Sequence, residues 1–332
     1  MENEVKEIPL VSVIMPSYNH EKYIEEAIRS VWEQTYSNVE LIVLDDGSKD
    51  SSAEIIKRLE KISPIPMKVV LKENEGLCRT LNVGLELTKG KYICPLASDD
   101  KFLKNKISLL VSEYEKYKDE VGAIFSKCYA IDSNGNRIGE FAPNMKNYIS
   151  KNIFEDMLLW KYVFQYSTAI FSKKCLLEVG GYNENHKFED WDLYLRISKK
   201  FLITFKDEFV AEYRVESGNN LSQQFTSTLV DDVLNIFQEN SANYPKMKSF
   251  FWNRYARAKI HLKIASWSYA ARDFKNTRKW LKKVIFLNPF EYKAYDLFFR
   301  TLLGKIIIQK IKALQLKSQI ENYSTKFLER TK

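Results

Sequence analysis

Residues Leu41 to Ser48 read L-I-V-L-D-D-G-S: four apolar residues that run directly into two carboxylates, a glycine and a serine. The pattern returns at Tyr92 to Asp100 as Y-I-C-P-L-A-S-D-D. A short apolar run bounded by turn formers predicts a strand buried on both faces. In a parallel sheet, ligands bind beyond the carboxyl ends of such strands. Two strands that each deliver an acidic pair to that edge describe a site for a group carrying a metal ion or many hydroxyls.

Working outward, strands and helices alternate. Val11 to Met15 is a strand, and Ile24, Ala27, Ile28, Val31 and Trp32 mark one face of the helix after it. The Leu41 to Leu44 strand leads to a helix holding Ile55, Ile56 and Leu59, with Ser51 or Ser52 as its N-cap. Lys68 to Leu71 is a strand, Leu77 to Leu87 a helix stopped by Gly90, and Tyr92 to Leu96 a strand. This alternation implies a mostly parallel sheet with helices on both faces. After Asp100 come a helix (Leu103 to Tyr117), a long strand (Val121 to Ile131), a hairpin turn at Ser133 to Asn136, a strand at Thr168 to Phe171, a helix at Asp190 to Lys199 and an extended stretch at Ile203 to Arg214. From Leu229 on, the chain reads as helical.

The charge divides in the same place. From Lys246 onward 21 Lys and Arg stand against 5 Asp and Glu, whereas residues 1–245 hold 30 and 38. The two parts, divided at 1–225 and 226–332, are expected to meet different partners. A basic tail suits nucleic acid or an anionic membrane, but no groove-reading motif supports nucleic acid. Ala271 to Pro289 resembles one degenerate tetratricopeptide unit, though a plain helical hairpin fits better. Leu303, Ile307, Ile311 and Leu314 line a face that suits a membrane interface or the helix's own domain equally. With 45% hydrophobic and 28% charged residues the composition is that of a soluble globular protein. No apolar run reaches the roughly 18 residues that span a bilayer, and Met1 to Pro9 is unlike a secretory signal. Four scattered cysteines form no CxxC pair, so reduced thiols in a cytoplasmic protein are expected.

Six motifs in order carry a resemblance: P-S-Y-N (Pro16 to Asn19), D-D-G-S (Asp45 to Ser48), N-E-G (Asn74 to Gly76), A-S-D-D (Ala97 to Asp100), G-G-Y-N-E (Gly180 to Glu184) and E-D-W-D (Glu189 to Asp192). Over residues 9 to 220 the chain resembles a family 2 glycosyltransferase of GT-A fold. The resemblance implies a nucleotide-sugar donor held at Pro16, Ser17, Tyr18, Asn19, Asp45, Asp46, Asn74, Gly76, Ser98 and Asp99. Asp46 would bond the base, favouring UDP, and Asp45 would orient its loop. Asp100 would hold a divalent cation (Mn2+ or Mg2+), with Asp99 beside it on the ribose or the metal. The alternative for the pair is the N-cap of the next helix. Asp190 would be the general base toward the acceptor hydroxyl, with Gly180, Gly181, Tyr182, Glu189 and Trp191 around the sugars; Trp191 stacks on sugar or belongs to the core.

Two departures matter. Ala97 stands where family members commonly have Asp. Glu216, after Tyr213-Arg214-Val215, stands where many have a metal-binding His and is a candidate to replace it as a ligand; alternatively, Arg214 contacts the diphosphate. His20 is expected at the surface. The Q-x-x-R-W motif of processive synthases is absent, which implies addition of a single sugar; the resemblance further implies inversion and a glycan or polyprenyl-diphosphate-linked acceptor in surface polysaccharide synthesis, at the inner face of the membrane. The rival is a decayed domain acting as a scaffold through its basic tail.

Overall fold

A computed structural model of the chain describes residues 8–117, 119–142, 153–215 and 227–302. They form two compact units, one ending at 242 and the other beginning at 243.

In the first unit β1 (Val11–Ser17), α1 (Ile24–Trp32), β2 (Val39–Asp46), α2 (Ser52–Glu60), β3 (Met67–Lys72), α3 (Leu77–Leu87) and β4 (Tyr92–Pro95) alternate as expected. β5 (Lys101–Phe102), α4 (Lys106–Tyr114), β6 (Val121–Ile131), β7 (Arg137–Phe141), α5 (Phe154–Leu158), β8 (Ile170–Ser172), α6 (Lys173–Glu178), α7 (Glu189–Lys200), β9 (Leu202–Arg214) and α8 (Ser227–Ser241) follow. The sheet runs β3-β2-β1-β4-β8-β6-β9-β5, with β7 beside β6. β1 to β4 are mutually parallel where they pair. β8 is antiparallel to both β4 and β6, and β9 is parallel to β6. Two reversals restore direction, so β6 and β9 end on the same edge as β1 to β4.

The periodicity explains the layers. Val11, Val13 and Met15 point into a core with Ile24, Ile28, Val31 and Ile56. Ile14 and Leu44 point the other way onto α3. There Gly84 comes so near that an added Cβ would lie 2.7 Å from Ile14 and 3.0 Å from Leu44. Each Val, Ile or Leu so buried contributes about 1.5–3 kcal/mol, which overrides weaker local signals.

Some local readings change. The first turn of α2 is held by Asp50, whose carboxylate accepts from Ser52 N, while Ser52 Oγ turns to accept from His20 N; neither serine's side chain caps the helix. α3 ends at Thr88, and Gly90 instead lets the chain pass against Ser12 N. α4 begins at Lys106 behind Asn105, so Asp99 and Asp100 do not cap it. The strand expected from Thr168 begins at Ile170, after a 3-10 turn at Tyr166–Thr168. The hairpin turn forms as expected, with Asp132 accepting from Asn134 N and Asn136 N. α8 is grouped with the first unit, whereas the sequence placed the division at 226.

The second unit holds α9 (Phe250–Ala270), α10 (Phe274–Leu287) and α11 (Tyr292–Leu302). Ala271–Asp273 is the turn of a plain hairpin, and Asp273 caps α10 by accepting from Asn276 N. Glu216 and the apolar stripe from Leu303 lie outside the described residues. No helix among the described residues is long and apolar enough to cross a membrane.

Candidate active site

The loops leaving β1 to β4 gather at one edge. Ser17 pairs in register with Asp45. Asp45 accepts from Ser48 N (2.9 Å) and Ser48 Oγ (2.6 Å), so it shapes the loop after β2. Ser48 Oγ accepts from Asn19 N, and Asn19 Oδ1 accepts from Lys49 N, which ties the first loop to the second. Asp46 is engaged on both oxygens: one accepts from Lys72 Nζ (2.5 Å) and Glu75 N, the other from Gly76 N (2.9 Å). Burial would raise its pKa, but Lys72 and the Glu75 amide outweigh that and hold the carboxyl below its ordinary range. Asp46 therefore braces the Asn74 to Gly76 loop. His20 is half-buried rather than at the surface, with Nδ1 2.7 Å from Ser98 Oγ. Tyr18 is exposed at the rim, and Pro16 is half-buried in β1. Ser17 is buried with no partner for its Oγ among the described residues. Such an orphan at the end of β1, beside these loops, fits a polar ligand.

The Asp99–Asp100 pair lies at the next strand end. Asp100 is buried; it accepts from Ser167 Oγ (2.5 Å) and from Arg214 N (2.9 Å). Burial, and then the charge of Asp99, push its carboxyl well above the usual range. Arg214, at the end of β9, is also buried. It donates to the carbonyls of Asp99 and Asp132 and to Glu26, and lies 4.3 Å from the Tyr23 ring. Its donors are spent inside the protein, which corrects the expectation that it reaches the diphosphate. Lys106, fully buried, donates to Ser167 O (2.7 Å); burial brings its amine down to about 7.

The second acidic pair opens α7. The chain turns off α6 through Gly180 and Gly181, both at positive φ. A Cβ on Gly181 would lie 2.7 Å from Asn82 Oδ1, so the glycine brings Tyr182 onto α3. Asn82 then bonds both the N–H and the carbonyl of Tyr182 (2.8 and 2.9 Å), and also Glu184. Tyr182 is buried, its hydroxyl 2.9 Å from that of Tyr166. Trp191 is buried and donates from Nε1 to Met157 O, which places it in the core. Asp190 accepts from Trp191 N at 2.6 Å. Burial, and then the charge of Asp190, push Glu189 up to about 8, and burial raises Asp190 as well. The Trp191 N–H favours the charged form of Asp190.

α8 clamps this turn. Asp232 accepts from Lys187 N (2.8 Å), Phe188 N (3.0 Å) and His186 Nδ1 (2.7 Å), while His186 Nε2 faces Glu239 at 3.0 Å. Burial opposes charge on His186, but the two carboxylates prevail and raise its pKa. A raised folded-state pKa gives stability that is complete below the unfolded pKa and is lost as pH rises through the folded one. His186→Gln is therefore expected to lower the melting temperature by several degrees at pH 5.5 and by clearly less at pH 8.5, as a thermal scan at each pH would show.

Tyr213 connects the two pairs. Burial raises its hydroxyl above the ordinary range, and the charges of Asp100, Asp99 and Asp190 add to this. Asp99, Asp100 and Asp190 thus all bear on one side chain of β9. Sequence reasoning missed Ser167, Lys106, Tyr213 and Asp232, because isolated polar residues carry no local signal. Hard carboxylate oxygens such as those of Asp99 and Asp100 are the donors a divalent cation takes. Among the described residues no third His, Cys, Asp or Glu joins them.

The model of glycosyl transferase family 2 matches residues 12–176. An uncharacterized glycosyltransferase of Methanocaldococcus jannaschii is 30% identical over 218 residues, 64% of this chain and 73% of that protein. The chain belongs to family 2 of the glycosyltransferases. It spans only about a third of the length of the Rickettsia conorii and Rickettsia felis relatives it also matches. Among solved structures, Staphylococcus aureus TarS 1-349 in complex with UDP-GlcNAc has a TM-score of 0.61 at 18% identity, covering 88% of this chain and 90% of that one. A Pyrobaculum calidifontis mannosyltransferase in complex with GDP-Man and Mn2+ has 0.59 at 17%, covering 90% and 81%. These likenesses establish the GT-A fold.

Proposed function

We propose that this glycosyltransferase moves a single sugar, with inversion, from a nucleotide-diphosphate donor to a hydroxyl of a glycan or lipid-linked oligosaccharide in surface polysaccharide synthesis. A UDP-sugar is the favoured donor. The observation that carries this reading is that the turn leading to Asp190 docks on α3, through Asn82 and through Cys78 Sγ to His186 O, directly behind the Asn74 to Gly76 loop that Asp46 braces. Asp190, ionised, takes the proton of the acceptor hydroxyl as its oxygen bonds the anomeric carbon and the nucleoside diphosphate leaves. Glu189, protonated, donates a hydrogen bond to the acceptor. Ser17, Tyr18, Asn19 and the loops braced by Asp45 and Asp46 hold the nucleotide, with Asn74, Gly76 and Ser98 beside it. Asp99 and Asp100 hold the divalent cation, and Glu216 is the third ligand we assign. When bound, the cation neutralises charge on the diphosphate. Gly180, Gly181 and Tyr182 shape the sugar side through the turn onto Asn82. The bound nucleotide sugars of the two fold neighbours support the donor class. We place the reaction at the cytoplasmic face of the membrane.

A panel of UDP-glucose, UDP-galactose, UDP-GlcNAc and GDP-mannose, each with manganese or with a chelator, tests the reading. A UDP-sugar is expected to raise the melting temperature by several degrees with manganese and to lose most of that effect with chelator. No shift with any donor would favour the decayed scaffold instead.

A further inference from the structure

The first unit exposes its large apolar side chains singly, whereas the second gathers them. Phe250, Phe251, Phe286, Phe290, Tyr292 and Phe299 are all exposed, Phe290 to 92%. The rings of Phe250 and Phe251 are 5.6 Å apart. Arg254 lies 5.4 Å from the Phe250 ring and 5.4 Å from the Phe286 ring, and it donates to the carbonyls of Phe286 and Leu287. The next turn carries Phe290, and Pro289 O accepts from Tyr295 Oη. Along α11, Tyr292, Tyr295, Phe299 and Leu302 recur at i, i+3, i+7 and i+10, a spacing that forms one helical stripe, and all four are exposed. Ala256, Ile260, Ile264, Leu281, Val284 and Ala294 already supply a buried core, so the aromatic face is additional to it.

Charge decides what covers this face. Residues 246–302 hold fourteen Lys and Arg against three Asp and Glu. A second copy would set one cationic face against another, and like charges so juxtaposed oppose association. Aromatic rings mixed with Lys and Arg are the composition of a bilayer interface: rings settle at headgroup depth, and basic residues are drawn to anionic lipid. We propose that this face of α9 to α11 docks on an anionic lipid bilayer. Binding is interfacial, since none of these helices is long and apolar enough to span. The inference deepens the membrane part of the reading above and rests on it for placement alone.

The test is co-sedimentation of the full chain with vesicles of phosphatidylcholine containing 30% phosphatidylglycerol, and with phosphatidylcholine alone. Partition is expected to be at least tenfold stronger on the anionic vesicles and to fall at least tenfold when salt rises from 0.1 to 0.5 M. The exposed-site triple variant Phe250→Ser, Phe286→Ser, Phe290→Ser is expected to lose at least tenfold in partition while keeping its melting temperature and its affinity for UDP. Partition equal to that of the unaltered chain would overturn the proposal. So would a concentration-dependent dimer of the unaltered chain that this variant abolishes, because the face would then join copies. No sugar transfer is measured, so a failed donor screen would count against the donor reading and leave this inference standing.

Discussion

Asp190→Asn is expected to reduce sugar transfer by roughly a hundred- to ten-thousand-fold while UDP binding changes less than about twofold. The amide keeps the shape of the carboxylate and can still accept the Trp191 N–H, but it cannot take a proton. The edge proposed to hold the nucleotide is fixed by bonds in which Asp190 has no part, those of Asp45, Asn19, Asp46 and Lys72. Turnover should fall with donor affinity retained, the pattern of an interaction made only in the transition state. Initial rates and calorimetry on the same preparation check both halves. Retained turnover would remove Asp190 from the role of base. Loss of UDP binding would mean that the substitution had disturbed the α3 contact through Tyr182 and Asn82. Because burial raises both members of the pair, the base loses its proton only above the ordinary carboxylate range, and turnover should climb with pH accordingly. Glu189→Gln, which keeps a hydrogen-bond donor, is expected to retain turnover within about tenfold.

The fold was legible because buried parallel strands announce themselves. β2 is a run of apolar residues ending in Asp45-Asp46, and the face of α1 shows in its 24, 27, 28, 31 spacing. The acidic pairs were legible for the same reason, since each interrupts an apolar or aromatic context. Partners supplied from far along the chain were not. Ser167 lies 67 residues from Asp100, and Arg214 lies 114 from it. Only the two reversals of strand direction that return β6 and β9 to the edge of β4 explain why they meet. Lys106 stands out by nothing in the sequence, yet it is fully buried, its Nζ 3.5 Å from the Phe102 ring. Trp191 had two readings. Its indole N–H bond to Met157 O and its 4.5 Å ring spacing to Trp160 place it in the core, a choice that no neighbouring residue in the sequence records.

Arg214 shows how far the acidic edge depends on such a distant partner. Its guanidinium serves two backbone carbonyls and Glu26 from a buried position, so Arg214→Met, which keeps most of the volume, removes one donor from each of the Asp99 and Asp132 carbonyls, the second of which keeps the Gly135 N–H. Each buried acceptor left unsatisfied costs about 1–3 kcal/mol. Glu26 is half exposed and regains water, so its loss adds little. Both residues are only half-buried and Asp132 O keeps a donor, so a total of about 2 kcal/mol is expected, or a fall of roughly 4–8 °C in melting temperature for a unit of this size. Arg214→Lys should recover only part of this, because one ammonium cannot serve three directions as a planar fork does. The functional effect is separate. Asp100 is held by the Arg214 backbone N–H and by Ser167, but the Asp99 backbone is steered by the side chain that the variant lacks. Arg214→Met should therefore lose at least tenfold in the manganese-dependent part of UDP binding even at temperatures where it is fully folded. A variant that melts within about 2 °C of the unaltered protein would show that water replaces the guanidinium. One that melts early but binds manganese and UDP normally would show that Arg214 holds the fold and leaves the acidic pair to set itself.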